Sequence, residues 1–388
     1  MAQNYWGYLS LWNEHGGAPG LALLHANAET GDTELRALLD DRISFGCSFA
    51  DQRRHVLYIC NEVEKVRGVP YETGRIYAYR VDPESGTLSE LFVQDTMCPN
   101  PAYVTQDPSG RFLLVAHHSM GGGMIHLEQN AEGRYVPNFI HRDAPLIVYS
   151  LNEDGTIREI VDVQKHPVSP DSQPYGTLQH CCVFSPNGRF VAVCDKGDGR
   201  LYLYSFDGET GRLTLCGRTR TDVPGAHPRY CVFHPTLPYL VVNHEQARDH
   251  RMIITSFRYD EAGQLEKVSA VNLLADAEVV PPRAIYEQQG LAISGDGRTV
   301  YTCVNGPNFV GVLSLSDSGA LELLQRAPVD GLWPRGLAVL PGGKFLLASC
   351  PVSGDLVTFP IRSDGTLVQG RSIGKQKGGT YISFFHHS

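Results

Sequence analysis

The sequence predicts an all-β fold, a seven-bladed β-propeller with four antiparallel strands per blade, and three observations support this prediction. The 388-residue chain contains 40 glycines and 24 prolines, a turn-rich composition that favours a β protein over a helical bundle. A turn that combines an acidic or polar residue with glycine occurs seven times. A strand–turn–strand element interleaves with it, giving about four short strands per period of roughly 50 residues, which is typical of propeller blades around a central channel.

The first element, the glycine turn with the short apolar segment after it, is spread along the whole chain. Its copies are "ETGDTELRAL" (29–38), "ESGTLSEL" (84–91), "EDGTIREI" (153–160), "ETGRLTLC" (209–216), "EAGQLEKV" (261–268), "DSGALELL" (317–324) and "SDGTLVQG" (363–370). The second element joins two apolar strands by a turn of the P-x-G-R type and predicts the first two strands of a blade. Its copies are "DQRRHVLYICNE" (51–62), "DPSGRFLLVAHH" (107–118), "SPNGRFVAVCDK" (185–196), "HPTLPYLVVNHE" (234–245), "SGDGRTVYTCVN" (294–305) and "LPGGKFLLASCP" (340–351).

The two ends of the chain predict how the ring closes. The segments "NYWGYLSLWN" (4–13) and "GTYISFFHHS" (379–388) are strand-like, but neither has a full blade of its own. An unpaired sheet edge invites aggregation, so we expect one terminus to donate a strand to the blade of the other. The whole chain, 1–388, then forms a single propeller domain. The longest interval between glycine turns contains an insertion, at about 117–146, that we expect to act as a lid over a pocket.

Composition limits the classes of partner. The formal net charge of −9 argues against nucleic-acid binding, which needs a basic face. No apolar run approaches the roughly 20 residues of a membrane helix. The ten cysteines lack the spacing of a disulfide framework, and the N-terminus does not resemble a signal peptide, so reduced thiols in a cytoplasmic protein are expected. A small molecule remains as the expected partner.

Polar residues gather where the predicted hairpins begin and end. In an antiparallel hairpin the start of the first strand and the end of the second lie at the same sheet edge, so rotation around the axis brings these positions to one mouth of the channel. Titratable side chains of mixed charge directly after apolar strands predict a pocket there. The strand starts supply Tyr103, His180, Arg229 and Arg335, and the strand ends supply Asn61, Glu62, His117, His118, Asp195, Lys196, His244, Glu245 and Asn305.

One of these hairpins, "PRYCVFHPTLPYLVVNHE" (228–245), resembles a characteristic segment of the seven-bladed β-propeller lactonases. This family includes 6-phosphogluconolactonase and carboxy-cis,cis-muconate cyclase. Similar segments elsewhere, such as "GRIYAYRVDPESGTL" (74–88) and "WPRGLAVLPGGKFLLAS" (333–349), extend the resemblance over nearly the whole chain. The resemblance implies the propeller fold and lactonase activity without a required cofactor.

Matched position by position, the resemblance implies catalytic roles for His180, Arg229 and Glu245. The other polar residues of the mouth, except Asn61, are then expected to bind substrate. Several positions depart from the family pattern, which predicts a shared fold with a diverged substrate. The departures are Thr177, Leu178, His117, His118 and Asn305, where the family pattern has proline, histidine, asparagine, tyrosine and arginine.

Lactone hydrolysis needs a water nucleophile, a base and a donor that stabilises the oxyanion. Glu245 is the expected base if burial raises its pKa, and His180 is the expected acid for the departing alkoxide. Arg229 suits the carbonyl or a substrate carboxylate because its planar fork binds such groups with two hydrogen bonds. The expected substrate is a small sugar-derived or carboxylated lactone.

Three alternatives remain open at this point. A cycloisomerase or lyase would use the same residues to hold a carboxylate and to move a carbon-bound proton. A metal-assisted reaction has candidate ligands, although no HExxH-like spacing supports it. A non-catalytic interaction platform predicts an apolar or single-sign face, unlike the mixed set here. The candidate metal ligands are His117, His180, His244 and Glu245.

Overall fold

The computed structural model describes residues 4–13, 18–118, 123–141, 144–167, 176–221, 227–246, 251–275 and 286–386. These residues form strands that are joined by turns and short connections. No helix in this part of the chain has the length and apolar character needed to cross a membrane.

The strands are numbered in chain order. The first fifteen are β1 (Asn4–Leu11), β2 (Gly20–Asn27), β3 (Thr33–Asp40), β4 (Ser48–Asp51), β5 (Val56–Asn61), β6 (Arg75–Val81), β7 (Leu88–Asp95), β8 (Pro101–Gln106), β9 (Phe112–His117), β10 (Gly123–Gln129), β11 (Tyr135–His141), β12 (Leu146–Leu151), β13 (Ile157–Gln164), β14 (Gln179–Phe184) and β15 (Phe190–Asp195). The others are β16 (Arg200–Phe206), β17 (Leu213–Arg220), β18 (Pro228–Phe233), β19 (Tyr239–His244), β20 (Ile253–Tyr259), β21 (Leu265–Asn272), β22 (Gln288–Ile293), β23 (Thr299–Val304), β24 (Phe309–Leu315), β25 (Leu321–Pro328), β26 (Gly336–Val339), β27 (Phe345–Ser349), β28 (Asp355–Pro360), β29 (Arg371–Lys375) and β30 (Gly379–His386).

Seven four-stranded antiparallel sheets form the blades, which confirms the predicted fold. From the axis outward, blade 1 is β4-β5-β6-β7, blade 2 is β8-β9-β12-β13, blade 3 is β14-β15-β16-β17 and blade 4 is β18-β19-β20-β21. Blade 5 is β22-β23-β24-β25, blade 6 is β26-β27-β28-β29 and blade 7 is β30-β1-β2-β3. The innermost strands contact one another in sequence around the whole circle, so the ring is closed.

The C-terminal strand closes the ring. Strand β30 pairs antiparallel with β1, from Tyr5 opposite His386 to Leu11 opposite Gly379. Blade 7 therefore takes its innermost strand from the C-terminus and its three outer strands from the N-terminus. This confirms the prediction that the two termini share a blade, and it identifies the donor.

The core lies between adjacent blades. The second strands of blades 1 to 5 (β5, β9, β15, β19 and β23) are buried along their whole length. Both faces of these strands pack against neighbouring blades, which explains why their sequences are apolar runs instead of alternating patterns. Tyr58 of blade 1, for example, packs in one cluster with Val104 and Val115 of blade 2.

The predicted insertion contains an additional hairpin. Strands β10 and β11 pair antiparallel between the second and third strands of blade 2. The hairpin exposes Ile125, Leu127 and Tyr135. Residues 119–122 and 142–143 of the insertion lie outside the described part of the chain. Its role as a lid stays a prediction.

The glycine turns join the third and fourth strands of every blade, on the disc face opposite the predicted mouth. Gly155 has φ +91°, a conformation that glycine adopts without strain. The Tyr58 hydroxyl of blade 1 donates a hydrogen bond of 2.7 Å to the Gly155 carbonyl of blade 2. Tyr8 makes the equivalent bond from blade 7 to Gly86 of blade 1, also at 2.7 Å. The repeated glycine thus serves both the turn and the contact between blades.

We predict that Gly155→Ala lowers the free energy of unfolding by about 2–3 kcal/mol, because it adds backbone strain to a lost hydrogen bond. A Cβ at this position would lie 2.8 Å from the Tyr58 hydroxyl oxygen. Gly343 is the matched control, since it has φ +72° and nothing within 4 Å of its Cβ position. Urea denaturation of Gly343→Ala should show only the backbone cost, about 1 kcal/mol. Equal losses in both variants would contradict the proposed contact.

Candidate functional site at the channel mouth

A backbone irregularity at the start of the innermost strands directs side chains into the mouth. The pairing register of the first two strands shifts at the same place in blades 2, 3, 4 and 5. A β-bulge of this kind changes the direction of the side chains that leave the ladder. In three of these blades the residues that leave it include His180, Arg229 and Gln289.

Arg229 and Glu245 meet at the mouth, as predicted from the hairpin that contains them. Arg229 Nε lies 3.5 Å from Glu245 Oε2, and the same carboxylate oxygen forms an ion pair with Lys196 Nζ. The Arg229 side chain is only 2% exposed. Within the described residues, Nε and Nη1 of Arg229 have no hydrogen-bond partner. A buried guanidinium whose N–H groups are not used by these residues can bind a carbonyl or carboxylate oxygen.

The connection between blades 3 and 4 holds this ion-pair group together. The Glu245 amide donates to the His227 carbonyl at 2.8 Å. The His227 ring, through Nδ1, contacts the Lys196 carbonyl at 2.7 Å. His227 has φ +59°, an uncommon conformation for a non-glycine residue. These contacts fix Lys196 of blade 3 beside Glu245 of blade 4.

A second group, Glu62, His118 and His180, brings together three blades. His118 Nε2 is 2.7 Å from Glu62 Oε1, and the His118 and His180 rings stack with centroids 5.7 Å apart. An isolated β-bridge between His118 and Leu178 ties the end of β9 to the start of β14 and explains why the two rings are neighbours. The His180 ring also meets the edge of Tyr230, at a centroid distance of 5.2 Å. We call Glu62, His118 and His180 the mouth triad.

The electrostatics of the mouth differ from those expected for Glu245. Burial acts to raise the pKa of Glu245, but the charges of Lys196 and Arg229 outweigh it and lower the pKa to about 2. Burial likewise acts to raise the pKa of Glu62, yet the hydrogen bond with His118 leaves that pKa below its usual value. Glu245 is therefore a poor base at neutral pH.

The pKa of His180 is also lowered, and this keeps its imidazole neutral. Burial, followed by the charges of Arg229 and Lys196, lowers the pKa of His180 well below its ordinary value. Its imidazole is consequently neutral at physiological pH and carries a free lone pair on one ring nitrogen. Nδ1 of this ring is buried and has no hydrogen-bond partner among the described residues.

Aromatic side chains line the channel beneath the mouth. The Tyr103 and Tyr381 hydroxyls are 3.3 Å apart, and the Tyr103 and Tyr230 rings are 5.9 Å apart. These three rings border a cavity of about 200 Å³ that Arg335 also lines. The Arg335 guanidinium lies 4.4 Å from the centroid of the Trp12 ring. Tyr103 and Arg335 thus lie where the sequence analysis expected pocket residues.

Four expected pocket residues make internal contacts instead. Asp195 accepts backbone N–H groups of Leu178, Gly197 and Asp198 through Oδ1 and contacts His166 through Oδ2. These contacts favour a structural role over the expected contact with substrate. The other three are His117, His244 and Asn305. Nδ1 of His117 lies 2.9 Å from the Pro145 carbonyl oxygen, and Nδ1 of His244 lies 2.8 Å from the Ile253 carbonyl oxygen. Asn305 forms hydrogen bonds with the backbone and the side chain of Glu287.

The structure brings together a different set of candidate metal ligands from the set expected from the sequence. Within the described residues, one group has metal-ligand atoms within 4.8 Å of one another, and it is the mouth triad. Of the four expected ligands it contains only His180. The rings of His117 and His244 turn to backbone carbonyls, and Glu245 turns to Arg229 and Lys196. The position of these residues at strand ends does not by itself predict where their side chains point.

Sequence reasoning missed Tyr230, which lines the cavity, and Gln289, a buried polar residue at the corresponding bulge of blade 5. Tyr230 lies beneath the guanidinium of its neighbour Arg229, at 4.4 Å from Cζ to the ring centroid. Regular strand alternation would place these two consecutive residues on opposite faces, and the bulge removes that alternation. Gln289 donates to Glu287 at 2.7 Å, while its side-chain oxygen is buried without a partner in the described chain.

A larger groove lies at the opposite face of the disc. It has a volume of about 1050 Å³ and is lined by the turns of blades 5 and 6. The groove is open, and its lining contains no histidine. We place the candidate site at the mouth because paired acids, cations and a neutral imidazole converge there.

Comparison with known proteins agrees with this fold. A family model described as "Lactonase, 7-bladed beta-propeller" matches residues 17–384. The 6-phosphogluconolactonase of Bacillus subtilis (strain 168) is 27% identical over 365 residues, which is 92% of this chain and 90% of the relative. The 6-phosphogluconolactonase of Formosa agariphila is 24% identical over 354 residues, with 88% of each chain covered.

Solved structures show the same architecture. A periplasmic gluconolactonase from Pseudomonas aeruginosa superposes with a TM-score of 0.79 at 20% identity, over 98% of this chain and 99% of that one. A putative 6-phosphogluconolactonase from Bacteroides fragilis gives a TM-score of 0.76 at 19% identity, with 98% of each chain covered. At these identities the structural likeness establishes the fold.

We predict that Glu245 contributes to stability at neutral pH and loses this contribution in acid. Because its pKa of about 2 lies below the ordinary value of 4.5, the contribution is complete above pH 4.5 and disappears as the pH falls toward 2. The unfolding free energy of the wild type should fall by on the order of 3 kcal/mol more than that of Glu245→Gln in this window. Urea titrations at several pH values measure the difference.

Glu266→Gln provides the control for this measurement. Glu266 pairs with Arg258 at 2.9 Å, but both side chains are more than half exposed. Such surface pairs contribute little to stability. Parallel acid dependence in the wild type and Glu245→Gln would refute the ion-pair assignment.

Proposed function

The chain belongs to the seven-bladed β-propeller lactonase family, and from this membership we propose that its channel mouth hydrolyses a small lactone. The curated relatives in Bacillus subtilis and Formosa agariphila are named 6-phosphogluconolactonase, which supports a sugar-derived lactone as the substrate. The convergence of acids, bases and cations at the mouth supports catalysis over a purely structural interaction platform.

The observation that carries this proposal is the state of Arg229. It is buried at the mouth, it is held beside Glu245, and its Nε and Nη1 lack hydrogen-bond partners in the described chain. Hydrolysis of a lactone places a growing negative charge on the carbonyl oxygen, and a fixed guanidinium stabilises that charge. Arg229 is therefore assigned to the lactone carbonyl.

The reaction then needs a water molecule and a proton acceptor. In the proposed mechanism, water oxygen attacks the carbonyl carbon, and its proton passes to the mouth triad, where His180 is a neutral imidazole. The tetrahedral intermediate collapses with cleavage of the bond between the carbonyl carbon and the ring oxygen. The proton is delivered to that oxygen, and a hydroxy acid leaves.

Glu245 receives a different role from the one expected from sequence. Its low pKa and its contacts with Arg229 and Lys196 favour an orienting function over that of a general base. A carboxylate that holds two cations keeps them aimed at one point without itself reacting. The base is accordingly assigned to the mouth triad.

The charges of the mouth favour an anionic lactone. Arg229, Lys196 and Arg335 bring three cationic side chains to the mouth and the channel beneath it. Phosphate and carboxylate groups are the natural partners of such cations. The proposed substrate is therefore a phosphorylated or carboxylated sugar lactone. The cysteines lack the spacing of a disulfide framework, which supports a reducing, cytoplasmic setting.

We predict that Arg229→Gln lowers kcat/KM for 6-phosphoglucono-δ-lactone by about 100- to 1000-fold, because it removes the donor at the oxyanion. Glu245→Gln should cause a smaller loss, about 10-fold, by releasing Arg229 from its position.

Lys196→Met should raise KM more for the phosphorylated lactone than for glucono-δ-lactone. Initial rates, corrected for spontaneous hydrolysis, measure these effects in a pH-stat.

Arg258→Gln is the matched control, since Arg258 belongs to an exposed pair with Glu266 and lies outside the mouth. Its kcat/KM should equal that of the wild type. The site assignment fails if Arg229→Gln retains wild-type turnover. The proposed function fails if no phosphorylated, carboxylated or neutral sugar lactone reacts faster than the buffer alone.

A further inference from the structure

The composition of the mouth triad suits a metal ion. Two imidazoles and one carboxylate present ligand atoms that lie within 4.8 Å of one another. Ligands around a four-coordinate zinc ion are separated by roughly 3–4 Å, because each lies about 2.0–2.2 Å from the metal. Side-chain movements of about 1 Å would therefore bring Glu62, His118 and His180 into coordination.

The surroundings of the triad are those of a built site. The side chains of His118 and Glu62 are 5% and 10% exposed, and His180 is 2% exposed. His118 Nε2 and Glu62 Oε1 already converge in a hydrogen bond of 2.7 Å, which coordination would replace. Nδ1 of His180 is buried without a hydrogen-bond partner in the described chain, so one polar atom of the triad lacks a protein partner.

We propose that Glu62, His118 and His180 form a site for one divalent first-row transition-metal ion, with a coordination position left open toward the channel. Two nitrogen ligands favour zinc, manganese or iron(II) over magnesium or calcium, which prefer oxygen. Three protein ligands with an open position are typical of catalytic metal centres. This inference goes beyond lactone hydrolysis, because the triad could hold an ion whatever substrate the mouth accepts.

Charges of both signs surround the triad. The Arg229 guanidinium lies against the Tyr230 ring that His180 also contacts, so it lies near the triad and would repel a dication. Glu62 supplies one opposing charge and an anionic substrate would add another, whereas Glu245 is already paired with Lys196 and Arg229. An ion held here would occupy the lone pair of His180, so in the metal-bound form a water on the ion, with its pKa lowered, would replace the His180-assisted water as nucleophile.

The decisive experiment is a metal titration of the full-length protein after treatment with a chelator. Calorimetry with ZnCl2 and with MnCl2 should show one ion per chain in the wild type. Glu62→Gln and His118→Gln should each weaken binding at least 100-fold, since each removes one ligand. His126→Gln is the control for adventitious surface binding, because His126 is an exposed histidine on β10, and it should bind as the wild type does.

Crystals of the wild type soaked in ZnCl2 give a test that does not depend on how the variants fold. An anomalous-difference peak about 2.0–2.2 Å from one atom of each triad residue supports the site. No binding at millimolar metal, a peak elsewhere, or equal affinity in well-folded Glu62→Gln would overturn it. Lactone turnover is measured separately on chelated protein, so failure of the metal site and failure of the proposed activity are distinguishable.

Discussion

The pairing of β30 with β1 is the constraint on which the rest of the structure depends. Seven sheets in sequence form an open arc unless the last edge finds a partner, and only a closed ring brings the starts of all innermost strands around one axis. The closure reaches the mouth directly. Trp12, just after β1, bonds the Gly378 carbonyl just before β30 at 2.8 Å, and its ring lies against Arg335 of blade 6. The geometry of the channel wall is thus coupled to the joining of the termini.

The two faces of the disc differ in role: one carries the structural glycine turns, and the other carries the candidate site. At the face opposite the mouth, glycine turns repeat with nearly the same conformation, and hydroxyls such as that of Tyr58 bond the turn of the next blade. That face needs the same residue types seven times, so it leaves a periodic sequence signal. The mouth combines one or two residues from each of several blades. It therefore differs from blade to blade, and the repeats reveal its position but not its chemistry.

This division explains what could be predicted from the sequence. The turn signals and apolar hairpins predicted the blade count and the shared blade, and the strand ends predicted the meeting of Arg229 with Glu245. The directions of individual side chains were not predictable, because a bulge at Arg229–Tyr230 has no distinctive residue pattern. The low pKa of Glu245 depends on Lys196, which is 49 positions earlier in the chain. The contact of His118 with Glu62 joins two blades and is likewise invisible in either segment alone.

The cations of the mouth link substrate binding to the basicity of His180. Burial, and after it the charges of Arg229 and Lys196, lower the pKa of His180 well below its ordinary value. A phosphate or carboxylate bound beside these cations would offset their charge, and the electrostatic penalty on a protonated His180 would decrease. In the proposed mechanism, a bound anionic substrate would thereby make the imidazole a better proton acceptor. Glu245 cannot serve this purpose, because its charge is already matched by Lys196 and Arg229 at close contact. The ion-pair group of Arg229, Lys196 and Glu245 is thus separate from the neutral mouth triad. This separation would give the proposed hydrolysis a base whose pKa rises when the substrate binds.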